Sequence, residues 1–461
     1  MKPCCQPALA LGTIACLMTG FVALPQSPPA LDYDFFKERV QPIFLKKRPG
    51  QARCVACHTH RIPPLVALPP GSDRWNEAQS RANFTAWKQF VVPGAPMKSR
   101  ALLHPLAVNA GGDHFHAGGK HWKSTADPEW RTLADWVNGK TLESAVVRVL
   151  QSNAAGDDIH VIDPASNEVV GLIDGIEVPH GVVIAPGGKR IYATNEGMTT
   201  LDVVDSATFR VFKRIKLSGR PNNLDVSADG TYVYVGIREG TGAVDIIDTR
   251  SLTNVKSVPV KGEIHNVYMT PDSKYVVAGS IAASTISVID ASTNTLAWTL
   301  TLSAGIRPMA FTRNGDGSTK EIIVQLSDFH GFAIVDFASR REVRRITLPD
   351  PPGEHKETEG LQGSPSHGLA ISPDGKLLWA TSKYYGAVAA YSVPDYKLLA
   401  FVKVGSHPDW LSIPPDGRNV YVAVAGDDTT AVVDNKTFKV VKTIPVGSVP
   451  KRVTSGWLRR E

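Results

Sequence analysis

Val161-Ile162-Asp163, Val203-Val204-Asp205, Ile246-Ile247-Asp248 and Val288-Ile289-Asp290 are four copies of one apolar-apolar-Asp string, spaced 42, 43 and 42 residues apart. Ile334-Val335-Asp336 and Val432-Val433-Asp434 carry the string further along the chain. A second text recurs between them: Asp-Gly followed by an alternating apolar run, at Asp229-Gly230, Asp374-Gly375 and Asp416-Gly417. Each Asp-Gly predicts a hairpin turn between two strands. A repeat of about 40 residues with several short strands is the unit of a propeller, because one such sheet cannot bury both faces and must stack on its neighbours in a ring.

Counting the units fixes the architecture. Innermost strands are expected to open after Pro179, Pro221, Ile264, Pro308, Ser366, Pro408 and Pro450, which gives seven stations. The last has only one strand of chain left, Lys451 to Trp457, and the first, Val146 to Gly175, lacks its innermost strand. The C-terminal strand therefore completes the first blade and removes the edges that an open array would expose. Residues 144–461 are read as an all-β seven-bladed propeller.

Before residue 143 the pattern changes to helical spacing: Phe35, Phe36, Val40, Ile43 and Phe44 in one stretch, and Trp130, Leu133, Trp136 and Val137 in another. Asp127-Pro128 opens the second helix and Gly139 stops it. Residues 31–143 are thus expected to form a small all-α domain.

Within it lies Cys54-Val55-Ala56-Cys57-His58. In CxxCH two thiols are spaced to add to the vinyl groups of haem, and the adjacent imidazole becomes an axial ligand. A zinc site would want four ligands and there is no second cysteine pair; a thioredoxin-like pair would want a βαβ setting. One covalent haem c is expected, on Cys54, Cys57 and His58. The other three of the five cysteines, Cys4, Cys5 and Cys16, fall in the leader, so no disulfide framework is predicted.

That leader has Lys2, an apolar run from Ala8 to Leu24 and a Pro/Ser-rich stretch to Ala30. It reads as a secretory signal and linker over residues 1–30, which places the chain in the periplasm or otherwise outside the cytoplasm. An uncleaved segment would be its one contact with a membrane, and a lipobox at Cys16 would need Leu where Thr13 stands. The 50 Lys and Arg against 44 Asp and Glu give a net charge of +6, spread without a basic run, so nucleic acid is excluded as a partner.

The repeats resemble the YVTN family of propellers, through Ile191-Tyr192-Ala193-Thr194-Asn195 and the Ser372 to Gly375 turn. The haem region resembles cytochrome c domains of the planctomycete type, through Phe36 to Val40, Pro42, Ile43, the Val92-Pro93-Gly94-Ala95-Pro96 loop with Ser99, and the Trp130 to Val137 helix. In that family a Met-Pro-Pro segment usually supplies the second iron ligand. Here the corresponding stretch, Asp113 to Trp122, holds no methionine. The resemblance then implies His116 as the distal ligand, with His121, Met97, His104 and His114 as alternatives. Two imidazoles favour ferric iron over a His/Met pair, which implies a low potential.

At the propeller mouth, the residues entering the innermost strands are His180, Asn222, His265, Met309, His367, Asp409 and Lys451. Glu196, Arg238, His330 and Lys383 are expected on the same face, with the Pro349 to Pro365 insertion as a lid. Neutral imidazoles converging on a channel suit a second metal or a substrate; a residue bonded to the next blade's backbone would look the same in sequence. Three functions follow: a haem oxidoreductase whose propeller binds a small-molecule substrate, a cytochrome whose propeller docks a redox partner protein without catalysis, or a lactonase-like hydrolase.

Overall fold

The computed structural model describes residues 29–68, 71–141 and 145–459. Residues 1–28 of the predicted leader, with Cys4, Cys5, Cys16 and the Ala8 to Leu24 run, lie outside the described residues, as do residues 142–144 of the 140–145 connection. Among the described residues no helix is long and apolar enough to cross a membrane. The chain divides into two compact units, Met1–Leu142 and Glu143–Glu461.

The first unit is helical. Its opening segment runs through Tyr33–Phe35, Phe36–Val40 and Gln41–Leu45, and Asp32 caps it by accepting the Phe35 N–H. Pro128–Val137 begins, as the sequence predicts, after Asp127, whose carboxylate accepts the Glu129 N–H; Gly139 follows its end at φ 76°. Both helices send aromatic side chains inward. Phe36, Phe44, Leu102, Leu106, Leu133 and Trp136 are fully buried together, and Trp136 Nε1 donates to Asp32 O at 3.0 Å.

The second unit is a propeller of seven four-stranded antiparallel sheets. The innermost strands are Pro450–Arg459, Pro179–Ile184, Pro221–Val226, Ile264–Met269, Ile306–Arg313, Leu369–Ile371 and Pro408–Ser412, each touching the next around a closed ring. Pro450–Arg459 pairs antiparallel with Ala145–Asn153, register Ala145↔Arg459 to Asn153↔Pro450, so the last strand of the chain is the first strand of blade one. Val453 packs with Val149, Trp410 and Tyr421, joining blade one to blade seven.

The repeated strings have a local cause. Each Asp ends a third strand and folds back onto the turn that follows: Asp205 accepts N–H bonds from Ala207 and Thr208, and Asp248 from Arg250 and Ser251. In blade six Ser392 takes this place, which is why the string is absent there. The Asp-Gly turns need a left-handed residue, and Gly230, Gly375 and Gly417 supply it at φ 73°, 72° and 67°. The core lies between blades. Leu150, Val161 and Ile173 of blade one pack on Val182, Ile191 and Val204 of blade two, and the same interlock recurs around the ring.

Candidate functional site

Cys54–His58 forms one helical turn, so Cys54, Cys57 and His58 share a side of it. Both thiols are free. Burial pushes the Cys54 thiol up despite Arg48 nearby. His58 Nδ1 donates to Pro63 O at 2.7 Å, which leaves Nε2 without its proton and available as a ligand. A cleft of about 220 Å³ opens on this turn, walled mainly by apolar side chains, among them Phe44, Ile62, Trp87, Phe90 and Phe115. Ile62 and Phe115 are 73% and 75% exposed, an apolar surface that this unit leaves uncovered.

Opposite His58 stands His116. Its ring lies within 20° of parallel to that of His58, with centroids 6.4 Å apart. His116 repeats the tautomer lock, with Nδ1 bonded to Gly119 O at 2.6 Å. Gly118 makes room for it: a Cβ there would come within 3.0 Å of His116 Cε1. His121 also borders the cleft, with Nδ1 at 2.6 Å from Gln51 Oε1 and its pKa pushed down to about 4 by burial and by Arg48. His104 has both ring nitrogens engaged, Nδ1 by Asp113 and Nε2 by Arg100 Nε at 2.9 Å. Met97, the alternative of the sequence reading, sits on the Pro96–Lys98 turn, is 46% exposed and is not among the residues lining the cleft. His114 is also absent from the lining.

The propeller mouth is a different kind of site. His180, Arg238, His265, Arg307, His367, Lys383, Asp409 and Lys451 line a cavity of about 480 Å³, within the range of small-ligand sites. The ring centroids of His180 and His265 are 6.4 Å apart, and those of His265 and His367 5.7 Å. His180 Nδ1 donates to Glu196 Oε1 at 2.7 Å; His367 Nδ1 bonds the Asp409 carbonyl at 3.1 Å and lies 2.9 Å from Asp409 Oδ1. Burial pushes His180 down to about 4 and His367 to about 3, and His265 falls well below its usual range, so all three are neutral at pH 7. Burial opposes charge on Glu196, but His180, Arg238 and Arg220 outweigh it and hold the carboxyl at about 2. Lys383 Nζ meets Asp409 Oδ2 at 2.8 Å.

Two placements differ from the sequence expectation. The blade-five inner strand opens at Ile306, two residues before Pro308, so Arg307 faces the cavity and Met309 sinks into the core at 2% exposure. The repeat spacing carried the signal, since 42 residues beyond Ile264 is Ile306; the proline drew the boundary too late. His330 is the second. It stays outside the cavity lining, bonded to Ser382 Oγ at 2.7 Å and packed on Tyr384. Of the insertion expected as a lid, Gln362 and Ser364 reach the lining, and Arg307 Nη2 donates to Gln362 O at 2.7 Å. Asn222 is buried behind it. Sequence reasoning missed Arg452. It is 3% exposed, lies 3.6 Å over the Trp410 ring, and its charge lowers the pKa of all three mouth histidines. Among the described residues no group of three or more His, Cys, Asp or Glu is arranged to hold a metal ion.

Fold and sites thus define a seven-bladed β-propeller with a helical unit ahead of it. No family model matches the chain, and no curated protein does either. Among solved structures the chain is similar to the hydrazine synthase of Kuenenia stuttgartiensis, at 21% identity and a TM-score of 0.54, over 62% of this chain and 91% of that one. It is also similar to the periplasmic gluconolactonase of Pseudomonas aeruginosa, at 18% identity and a TM-score of 0.56, over 69% and 100%. At these identities the likeness is one of fold.

Proposed function

We propose that the protein is an exported c-type cytochrome with a YVTN-like propeller, passing electrons through one haem that Cys54 and Cys57 would anchor and whose iron His58 and His116 would hold. The observation that carries this reading is the pair of near-parallel imidazoles that line the CxxCH cleft together, each with Nδ1 tied to a backbone carbonyl. Two imidazoles sharing one metal through bonds of about 2.0 Å stand roughly 6 Å apart at their centroids, close to the 6.4 Å spacing of His58 and His116. The uncovered Ile62 and Phe115 suit the faces of an apolar macrocycle.

Bound haem would supply one-electron chemistry at a potential set by its axial ligands. This chain's residues do the rest. Cys54 and Cys57 anchor by thioether bonds, Pro63 and Gly119 fix the two imidazole tautomers, and Trp87, Phe90 and Phe44 exclude water from one wall. The propeller binds the partner, either a small molecule or another redox protein. Acid-acetone extraction tests the anchor: the haem stays with the protein, and its passage into the solvent phase would refute a c-type site.

A second reading, a lactonase-like hydrolase, draws on the fold likeness to the gluconolactonase and on the buried His180–Glu196 pair at the mouth. Hydrolysis of gluconolactone by the purified chain, abolished by Glu196→Gln, would favour it.

A further inference from the structure

The charges at the propeller mouth do not balance. Its two carboxylates are already committed: Glu196 to His180, to Arg220 at 2.8 Å and to Arg238 at 3.6 Å, and Asp409 to His367 and Lys383. Three cations remain without a carboxylate partner among the described residues. Arg307 spends its hydrogen bonds on Ser327 Oγ and on the carbonyls of Gln362 and Gly363; Asp328 and Asp409, whose charges it feels, lie beyond ion-pair distance. Lys451 lines the cavity with no ion pair. Arg452 bonds Asn222 Oδ1 at 3.1 Å through Nη2, while its Nε and Nη1 are buried with no partner. Burial pushes the Arg452 guanidinium down to about 10, so it keeps its charge at neutral pH.

A buried cation with open donors is costly unless something answers it. The three histidines do not, because they are neutral. A metal cation is a poor answer, since it would enter a cavity already rimmed by uncompensated positive charge, where a medium of low dielectric strengthens repulsion. A small oxyanion in the cavity answers the charge, and the Lys451 ammonium and the imidazole edges of His180, His265 and His367 supply polar contacts to its oxygens.

We infer that the propeller mouth binds a small, multiply charged oxyanion, a polycarboxylate or a phosphate, in the cavity lined by Arg307, Lys451 and the three histidines. This deepens the reading of the propeller as the binding unit of the cytochrome and rests on it. Arg307 and Lys451 meet the anion directly. Arg452 acts from behind the histidines through its field, while its stacking on Trp410 holds it in place.

The test is isothermal titration calorimetry on the full-length purified protein, in a low-salt zwitterionic buffer, with citrate, inorganic phosphate and zinc chloride as separate probes. Citrate or phosphate is expected to bind at one site per chain. Lys451→Gln, which breaks no ion pair of the fold, is expected to weaken that binding at least tenfold with the melting temperature unchanged; Arg307→Gln is expected to weaken it likewise, with a lower melting temperature because it also removes the bonds to Ser327 Oγ and to the Gln362 and Gly363 carbonyls. Citrate arm and phosphate arm together separate a carboxylate ligand from a phosphate ligand. Flat titrations with both anions, wild-type affinity in both variants, or anion binding only after zinc has been added would each overturn the inference. A chain that binds the anion but releases its haem to acid-acetone removes the cytochrome reading and leaves the anion site standing; a chain that retains haem and binds neither anion does the reverse.

Discussion

The two candidate sites are built in opposite ways. The CxxCH cleft takes three of its four key groups from five consecutive residues and the fourth, His116, from a loop of the same small unit. The propeller mouth takes one residue from each of several blades, so that His180 and Lys451 share a cavity across 271 positions of sequence. The cleft is mainly apolar, with the His58 and His116 tautomers fixed by backbone carbonyls. The mouth is polar, with His180 and His367 held against buried carboxylates. A local motif carries its geometry in its own helical turn and needs the fold only for its far wall. A distributed site has no geometry until the ring closes.

Breaking the ring is the strongest test of that contrast. Deleting residues 450–461 removes the inner strand of blade one, with the buried Val453 and Leu458, each worth roughly 1.5–3 kcal/mol in burial alone. It also strands the Trp410 face of blade seven. The propeller should lose its cooperative thermal transition, while the helical unit should retain the haem proposed for it. A melting temperature unchanged by the deletion would sink the closure and the count of seven.

Next in size is the anchor. Cys54→Ala and Cys57→Ala should each weaken covalent haem retention in acid-acetone, and the double variant should abolish it, with the propeller transition unmoved. Retention in the double variant would show that the cysteines do not hold the group.

The far wall of the cleft is a subtler matter. His116→Met should raise the midpoint potential, because thioether sulfur favours the ferrous state, whereas His121→Gln should leave it near that of the wild type. A sulfur-to-iron charge-transfer band in the oxidised wild-type spectrum would point instead to methionine ligation and refute His116.

The smallest effect expected is a pH dependence carried by the mouth. His180 and His367 sit at about 4 and 3 in the folded protein against 6.5 unfolded, so between these limits the unfolded chain holds more protons. Stability therefore falls as pH drops below about 6.5, by up to roughly 1.4 kcal/mol per pH unit for each such histidine. Glu196, at about 2, adds a loss of the same sign below its unfolded value of 4.5. Differential scanning calorimetry from pH 7 to pH 5 should show the propeller transition moving down, and His367→Gln should flatten the slope. A transition that holds steady over this range would mean that these histidines are not buried neutral.

Much of this could be read without coordinates. The 42-residue period, the Asp that closes the third strand of every blade but the sixth, and the single leftover C-terminal strand determined seven blades and their closure, because turn chemistry and strand alternation are local and the repeat multiplies a weak signal. CxxCH stood out because its chemistry depends on spacing within one turn. Only the tertiary structure decided which residues face each cavity. It left Met97 and His330 off the two linings, replaced Met309 by Arg307, and brought the charge of the buried Arg452 to bear on three histidines. Those outcomes depend on strand register and on packing between blades, where a shift of one residue reverses the face a side chain presents, and no local pattern records which neighbour will be there to meet it.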